Sequence, residues 1–198
     1  MKLKIDLIKN AANSLTIFRI ILVPVFLLFL FQKDMASIIL ALVIFIIAAI
    51  TDLYDGYIAR NRNEITDFGI IMDPIADKLI VLSAFISFVQ LDIVPSWMFI
   101  VIVAREFLIT VLRTLALAKN RVLASIKSGK YKTVSHMVII IMILAIIAFD
   151  RIFGAKLEDT VIILMSLPYL LVFIAMVTSI VSGIEFILQN KKIFWENG

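Results

Sequence analysis

Six long apolar segments alternate with short polar breaks along the chain. A segment of about 20 mostly apolar residues is long enough to cross a bilayer as a helix. Residues 38–50 are continuously apolar, whereas strands of a membrane barrel would alternate apolar and polar residues. The predicted spans are residues 15–32, 36–59, 69–90, 95–118, 133–149 and 160–188. The pattern therefore predicts an all-α integral membrane protein with six transmembrane helices.

The composition supports this class. Of the 198 residues, 63% are apolar and 17% are charged, and the mean hydropathy is +1.10. A soluble domain has about 45–50% apolar and about 25% charged residues. These values exclude an ordinary cytosolic domain, a disordered tail and a nucleic-acid-binding module, so the net charge of +4 does not indicate a nucleic-acid partner. The absence of cysteine excludes disulfides and thiolate chemistry.

The basic residues predict the orientation. Residues 1–14, 60–67, 119–132 and 191–198 together hold twelve Lys and Arg against four acids, whereas the opposite side holds three against five. Because cytoplasmic loops carry the excess of Lys and Arg, both termini are expected in the cytoplasm. The expected location is the plasma membrane, crossed several times. The predicted organisation is a juxtamembrane segment, one six-helix domain and a cytoplasmic tail, at residues 1–14, 15–190 and 191–198.

Acidic residues cluster near the cytoplasmic ends of the second and third spans. Ionisable groups at membrane depth are costly, which makes them candidates for function. At about 100° per residue, one helical face of the second span collects two acids, a cation and two small residues. These residues are Asp52, Asp55, Gly56, Ala59 and Arg60. The corresponding face of the third span carries Gly69, Asp73 and Asp77. A short loop joins the two spans, so the four carboxylates can meet in one cluster.

The carboxylates suggest a metal site. Four carboxylates cannot stay ionised together without compensation, because each raises the pKa of its neighbours. Oxygen ligands select hard divalent ions such as Mg²⁺, Mn²⁺ or Ca²⁺. Zinc is disfavoured because there is no cysteine and the single histidine, His136, is distant in sequence. The alternative interpretation is a set of solvated helix-end carboxylates paired with Arg60, Arg62 and Lys78.

The eight residues on these two faces match the motif D-x2-D-G-x2-A-R-x8-G-x3-D-x3-D at every position and spacing. In this motif the chain resembles the CDP-alcohol phosphatidyltransferases. The resemblance implies two Mg²⁺ or Mn²⁺ ions held by Asp52, Asp55, Asp73 and Asp77, with Asp77 also acting as the general base. It implies that Gly56, Ala59, Arg60 and Gly69 line the pocket for the cytidine nucleotide of CDP-diacylglycerol. It also implies a homodimer and an active site between helices 2 and 3 at the cytoplasmic edge.

Three other segments indicate which alcohol accepts the phosphatidyl group. Residues 13–19, 105–113 and 128–133 resemble segments of the phosphatidylglycerophosphate synthases within that family. One departure is Ala11-Ala12, where that subfamily usually has Ile-Pro. Arginines are costly facing lipid, so two of them in the fourth span are expected to face inward, with Glu106 as their counter-charge. The resulting cationic pocket for the phosphate of sn-glycerol 3-phosphate comprises Arg105, Arg113, Lys130 and Lys132.

The expected reaction moves the phosphatidyl group of CDP-diacylglycerol to the primary hydroxyl of sn-glycerol 3-phosphate, giving phosphatidylglycerophosphate and CMP. The same chemistry with inositol phosphate, serine or phosphatidylglycerol as acceptor is the first alternative. A divalent-cation transporter is the second, and the confinement of the acids to one membrane edge argues against it. The sequence assigns no role to His136 or Glu185.

Overall fold

The computed structural model describes residues 11–62, 67–118, 123, 127–153 and 158–195. Side chains are described at residues 16–51, 72, 75, 76, 78–116, 123, 128–152 and 166–191. The helices are α1 (Ala11–Leu30), α2 (Met35–Arg62), α3 (Asp67–Gln90), α4 (Ser96–Ala118), α5 (Lys127–Phe153) and α6 (Glu158–Trp195). Each helix contains most of one predicted span, so the all-α prediction is confirmed for the part of the chain that is described.

Two helices contain described segments long and apolar enough to cross a bilayer. These segments are Ser128–Ile152 in α5 and Ser166–Lys191 in α6. Shorter apolar stretches lie in α1, α2 and α3. The helices are thus consistent with a membrane protein. Six crossings and cytoplasmic termini stay predictions.

The ends of α5 and α6 differ from the hydropathy prediction. α5 begins at Lys127 and ends at Phe153, and α6 ends at Trp195. Lys130 and Lys132 were expected in a loop, and that expectation is wrong because they lie in the first two turns of α5. Hydropathy reports where a helix is apolar, whereas backbone hydrogen bonds continue through polar residues beyond the apolar stretch.

The chain divides into two compact units. The first comprises Met1–Ser87 and Ile140–Val161, and the second comprises Phe88–Ile139 and Ile162–Gly198. In the first unit α1 packs against α2. The rings of Phe26 and Phe45 lie with centroids 5.8 Å apart at an interplanar angle of 52°, within the range of favourable aromatic pairs. A fully buried stripe recurs every three or four residues of α2, as expected for one helical face, at Ile38, Ala41, Phe45 and Ala48.

A polar cluster fixes the turn between α1 and α2. Asp34 precedes α2, and its Oδ2 accepts a hydrogen bond from the Ser37 backbone N–H at 2.9 Å, which is an N-cap. The hydrogen bonds from Ser37 hold the pKa of Asp34 below its ordinary value. At the end of α1, Arg151 donates to the carbonyl oxygens of Gln32 at 2.6 Å and Leu30 at 3.3 Å. Backbone groups at the end of α1 and at the start of α2 therefore have hydrogen-bond partners, as helix termini require.

α3 ends in a left-handed turn within the second unit. Asp92 has a φ of 56°, the conformation that glycine adopts most easily. Its N–H donates to the Val89 carbonyl, and the Ile93 N–H donates to the Phe88 carbonyl, both at 3.0 Å. These two bonds form a Schellman motif, which stops the helix at the predicted break around residues 91 and 92.

Candidate functional site

The acidic motif occupies the end of α2 and the beginning of α3. Its residues are Asp52, Asp55, Gly56, Ala59 and Arg60 on α2, and Gly69, Asp73 and Asp77 on α3. The backbone is helical at all eight positions, whereas their side chains lie outside those that the structure describes. No three His, Asp or Glu side chains converge among those that are described.

Connectivity keeps the two halves of the motif near each other. Four residues of sequence separate Arg62 at the end of α2 from Asp67 at the start of α3. An extended chain of that length spans at most about 18 Å. One face of α3 is buried in this region, because Ala76 is 1% and Ile80 is 3% exposed. The two parts of the acidic motif therefore lie on consecutive helices, near the short segment that joins α2 to α3.

Polar residues of the opening segment are also buried in the first unit. Thr16 is 0% and Arg19 is 1% exposed in α1. A charged guanidinium is rarely buried to this extent unless it has partners. The segment that resembles the opening of the phosphatidylglycerophosphate synthases therefore places Thr16 and Arg19 inside the protein.

A network of charged side chains lies in the second unit. The Arg105 Nη1 donates to Glu106 Oε1 at 3.0 Å, and Lys132 Nζ donates to the same oxygen. The side chains of Arg105, Glu106 and Lys132 are 13%, 12% and 9% exposed. Glu106 therefore serves as a counter-charge of Arg105, which confirms the prediction for that arginine.

Cations outnumber carboxylates among these three side chains. One carboxylate contacts two cations, so the three carry a net charge of +1. Buried charge is costly unless an opposite charge neutralises it. A cluster of this composition suits an anionic ligand, and a phosphate group matches the donor geometry of a guanidinium.

Two residues of α6 contact the side chain of Arg105. Its Nη2 donates to Ser182 Oγ at 2.8 Å. A Cβ added at Gly183 would lie 3.1 Å from Arg105 Cγ and 3.3 Å from Nε. Sequence reasoning missed both α6 residues, since the only signal was a small Ser-Gly pair within an apolar helix.

The other two predicted cations lie elsewhere on the second unit. Lys130 is exposed, and so is Arg113. The inward orientation expected for Arg113 stays a prediction. The guanidinium carbon of Arg113 lies 5.9 Å from the centroid of the buried Phe186 ring, a cation–π contact that suits a partly exposed arginine. The structure therefore joins Arg105 and Lys132 in one network but does not join Arg113 or Lys130 to it through any described contact.

The two unassigned residues have structural contacts. His136, one turn after Lys132, is 1% exposed, and its Nε2 lies 3.0 Å from the Ala175 carbonyl oxygen. A carbonyl only accepts, so this contact places a proton on Nε2. Glu185 on α6 accepts a hydrogen bond from Gln189 Nε2 at 3.0 Å. Both contacts satisfy polar groups and assign neither residue to chemistry.

Comparison with known proteins gives a consistent result. Residues 9–184 match the profile of the family described as CDP-alcohol phosphatidyltransferase. A CDP-diacylglycerol–glycerol-3-phosphate 3-phosphatidyltransferase of Bacillus subtilis is 33% identical over 201 residues, covering 94% of this chain and 96% of that protein. A protein of the same name from Rickettsia felis is 36% identical over 187 residues, covering 94% and 98%. A probable phosphatidylglycerophosphate synthase of Mycobacterium tuberculosis is 44% identical over 129 residues, covering 64% and 61%.

Proposed function

Because the chain belongs to the CDP-alcohol phosphatidyltransferase family, we propose that it transfers the phosphatidyl group of CDP-diacylglycerol to sn-glycerol 3-phosphate. Relatives named for this acceptor align over nearly the whole chain. The observation that carries the acceptor assignment is the buried network of Arg105, Glu106 and Lys132. Two cations around one carboxylate suit the doubly charged phosphate of the acceptor, whereas serine carries a single carboxylate beside an ammonium group and matches them less well.

The donor set of the acidic motif fits a hard divalent cation. Asp52, Asp55, Asp73 and Asp77 offer only carboxylate oxygens, the ligands that Mg²⁺ and Mn²⁺ prefer. In the proposal these four residues hold two such ions. When bound, the ions would supply electrostatic stabilisation to the phosphate oxygens.

Nucleotide binding and proton transfer are assigned to other residues of the chain. In the proposal Gly56, Ala59, Arg60 and Gly69 bind the cytidine nucleotide. Asp77 accepts the proton of the acceptor hydroxyl, whose oxygen bonds to the lipid-side phosphorus. The bond from that phosphorus to the CMP oxygen breaks, and CMP leaves with its electron pair. A base within hydrogen-bond reach of the hydroxyl is what this attack requires.

Arg105 and Lys132 hold the phosphate of sn-glycerol 3-phosphate in this proposal. Each is anchored by Glu106, so their donors are oriented before the substrate binds. Arg113 and Lys130 are exposed, and they add positive potential that attracts an anionic substrate.

The proposal includes an orientation. In the proposal the acidic motif lies at the cytoplasmic edge of the plasma membrane, where a water-soluble acceptor can reach a lipid headgroup. The excess of Lys and Arg on one side of the predicted spans supports this orientation. The lipid tails of the donor remain in the bilayer. By family resemblance the working unit is a homodimer.

The first experiment measures CMP release from CDP-diacylglycerol by the purified protein in detergent with Mg²⁺ or Mn²⁺. We expect release to require the metal and to be stimulated by sn-glycerol 3-phosphate more than by inositol phosphate, serine or phosphatidylglycerol. CMP release that sn-glycerol 3-phosphate does not stimulate would show that the acceptor assignment is wrong.

A variant tests the proposed base. Asp77→Asn removes the proton acceptor and keeps the size of the side chain. We expect it to lower kcat by about 100-fold or more, the usual range for a general base, while CDP-diacylglycerol still binds. Asp150→Asn is the matched control, because Asp150 is exposed in α5, and it should keep the rate of the unsubstituted protein. A rate for Asp77→Asn near that of the control would rule out Asp77 as the base.

A further inference from the structure

We propose that Ser182 and Gly183 of α6 are positioning residues that orient the guanidinium of Arg105 toward the phosphate of the acceptor. This inference rests on the proposed function and adds two residues to it. Neither residue belongs to a motif that the sequence analysis singled out. Both act through Arg105 and need not touch the substrate.

The contacts define the orientation. Arg105 is held at one Nη by Glu106 at 3.0 Å and at the other Nη by Ser182 Oγ at 2.8 Å. Its stem runs past Gly183, where an added Cβ would lie 3.1 Å from Cγ and 3.3 Å from Nε. Contacts this close to a Cβ require a shift of a few tenths of an ångström. Ser182 thus holds the guanidinium by a hydrogen bond, and the lack of a side chain at Gly183 lets the stem of Arg105 lie against the backbone of α6.

The fixed guanidinium keeps donors available for a ligand. Arginine carries five N–H donors in a rigid fork, and each Nη has two of them. One donor of each Nη is taken by Glu106 or Ser182. The remaining donor on each Nη can reach an anion in the paired geometry that a phosphate accepts. An arginine that is already held loses less rotational freedom when the substrate binds.

The burial of Ser182 supports a specific role for its hydroxyl. Ser182 is 3% exposed and Gly183 is buried, and a buried hydroxyl is costly unless it is hydrogen-bonded. Ser179, one turn earlier on α6, is 0% exposed and its Oγ has no hydrogen-bond partner among the described residues. The two serines therefore form a matched pair on one helix: Ser182 accepts a hydrogen bond from Arg105, and among the described residues Ser179 does not.

The experiment measures steady-state kinetics of Ser182→Ala and Gly183→Ala with both substrates varied. We expect the KM for sn-glycerol 3-phosphate to rise about tenfold in each variant, as for loss of one hydrogen bond to a charged group. The KM for CDP-diacylglycerol should stay within about twofold, because the acidic motif is untouched. Ser182→Thr keeps a hydroxyl and should restore most of the acceptor affinity.

Two controls separate positioning from general damage. Ser179→Ala removes a buried hydroxyl from the same helix and should leave both KM values unchanged. Gly129→Ala adds a Cβ that meets nothing within 4 Å, so its melting temperature should equal or exceed that of the unsubstituted protein. If one of the two α6 variants aggregates, the other decides the result.

A double substitution tests whether the effect passes through Arg105. Arg105→Lys removes the Nη that donates to Ser182, so adding Ser182→Ala should raise the acceptor KM no further. Additive effects, or an unchanged acceptor KM in both single variants, would overturn the positioning role. If the unsubstituted protein shows no stimulation by sn-glycerol 3-phosphate, the proposed function itself fails, and that outcome is distinct from unchanged variants of a stimulated enzyme.

Discussion

Replacing Glu106 with glutamine should destabilise the second unit. The substitution keeps the shape of the side chain and removes the only negative charge in the network of Arg105, Glu106 and Lys132. At 3.0 Å from Arg105 Nη1, the attraction is about 5 kcal/mol in a medium of effective dielectric constant near 20. The cost of burying the ions offsets most of that attraction. The difference between this attraction and the cost of burial sets the change in the free energy of unfolding.

The net effect is estimated from two hydrogen bonds that Glu106 accepts, one from Arg105 and one from Lys132. Polar contacts between helices of membrane proteins contribute about 0.6 kcal/mol on average and up to about 1.7 kcal/mol each. The bond from Lys132 joins α5 to α4, whereas the bond from Arg105 lies within α4. Together, less the weaker bonds that an amide oxygen still accepts, they give a loss of about 2 kcal/mol. For a chain of this length that loss corresponds to a decrease in Tm of about 4–8 °C.

Thermal unfolding in detergent, followed by circular dichroism, measures the effect. Glu185→Gln is the matched control, because Glu185 accepts one hydrogen bond from an uncharged partner, Gln189. A helical pair of this kind contributes about 0.5 kcal/mol or less, so the control should shift Tm by under about 2 °C. If Glu106→Gln melts within about 2 °C of Glu185→Gln, the reasoning about the buried charges is refuted.

Two further predictions concern helix ends. Asp92 has a φ of 56°, so Asp92→Gly should stabilise the protein by about 0.5–1 kcal/mol and Asp92→Val should destabilise it; thermal unfolding that ranks valine above glycine would contradict this. Asp34→Ala removes the N-cap of α2 and should lower Tm at neutral pH. Asp34→Asn keeps a side-chain oxygen that can accept the same hydrogen bond, so its Tm should stay near that of the unsubstituted protein. Because the pKa of Asp34 is lowered in the folded protein, its stabilisation is present above the ordinary pKa and declines as the pH falls through the lowered value. The Tm difference between the unsubstituted protein and Asp34→Ala should therefore shrink as the pH is lowered below the ordinary pKa of an aspartate, and a constant difference would contradict the assignment.

Much of the fold could be predicted because the bilayer imposes a simple rule on sequence. Each long apolar segment predicted one of the six helices that the structure describes. The predicted polar break at residues 91 and 92 coincides with the Schellman turn. The ends of α5 and α6 could not be predicted in this way. Lys130 and Lys132 read as loop residues because they are polar, yet their backbone hydrogen bonds continue the helix.

The candidate site was predictable where residues are close in sequence. The acidic motif spans 26 positions on two consecutive helices, so its spacing is visible without a structure. Glu106 was predictable as a counter-charge because it adjoins Arg105. Ser182 was not predictable, because it lies 77 residues from Arg105 and a serine in an apolar helix has no distinguishing local pattern.

The sequence by itself determined the class of molecule, its family and the acidic motif, because these depend on composition and on short spacings. Only the tertiary structure decided which cations share a buried carboxylate. Arg105 and Arg113 lie on one helix, and Lys130 and Lys132 lie two residues apart. The sequence alone therefore does not indicate which member of each pair is buried. Neighbouring helices bury Arg105 and Lys132 around Glu106 and leave the other two exposed. The packing of helices distant in sequence sets that difference, since burial depends on neighbours that no local pattern encodes.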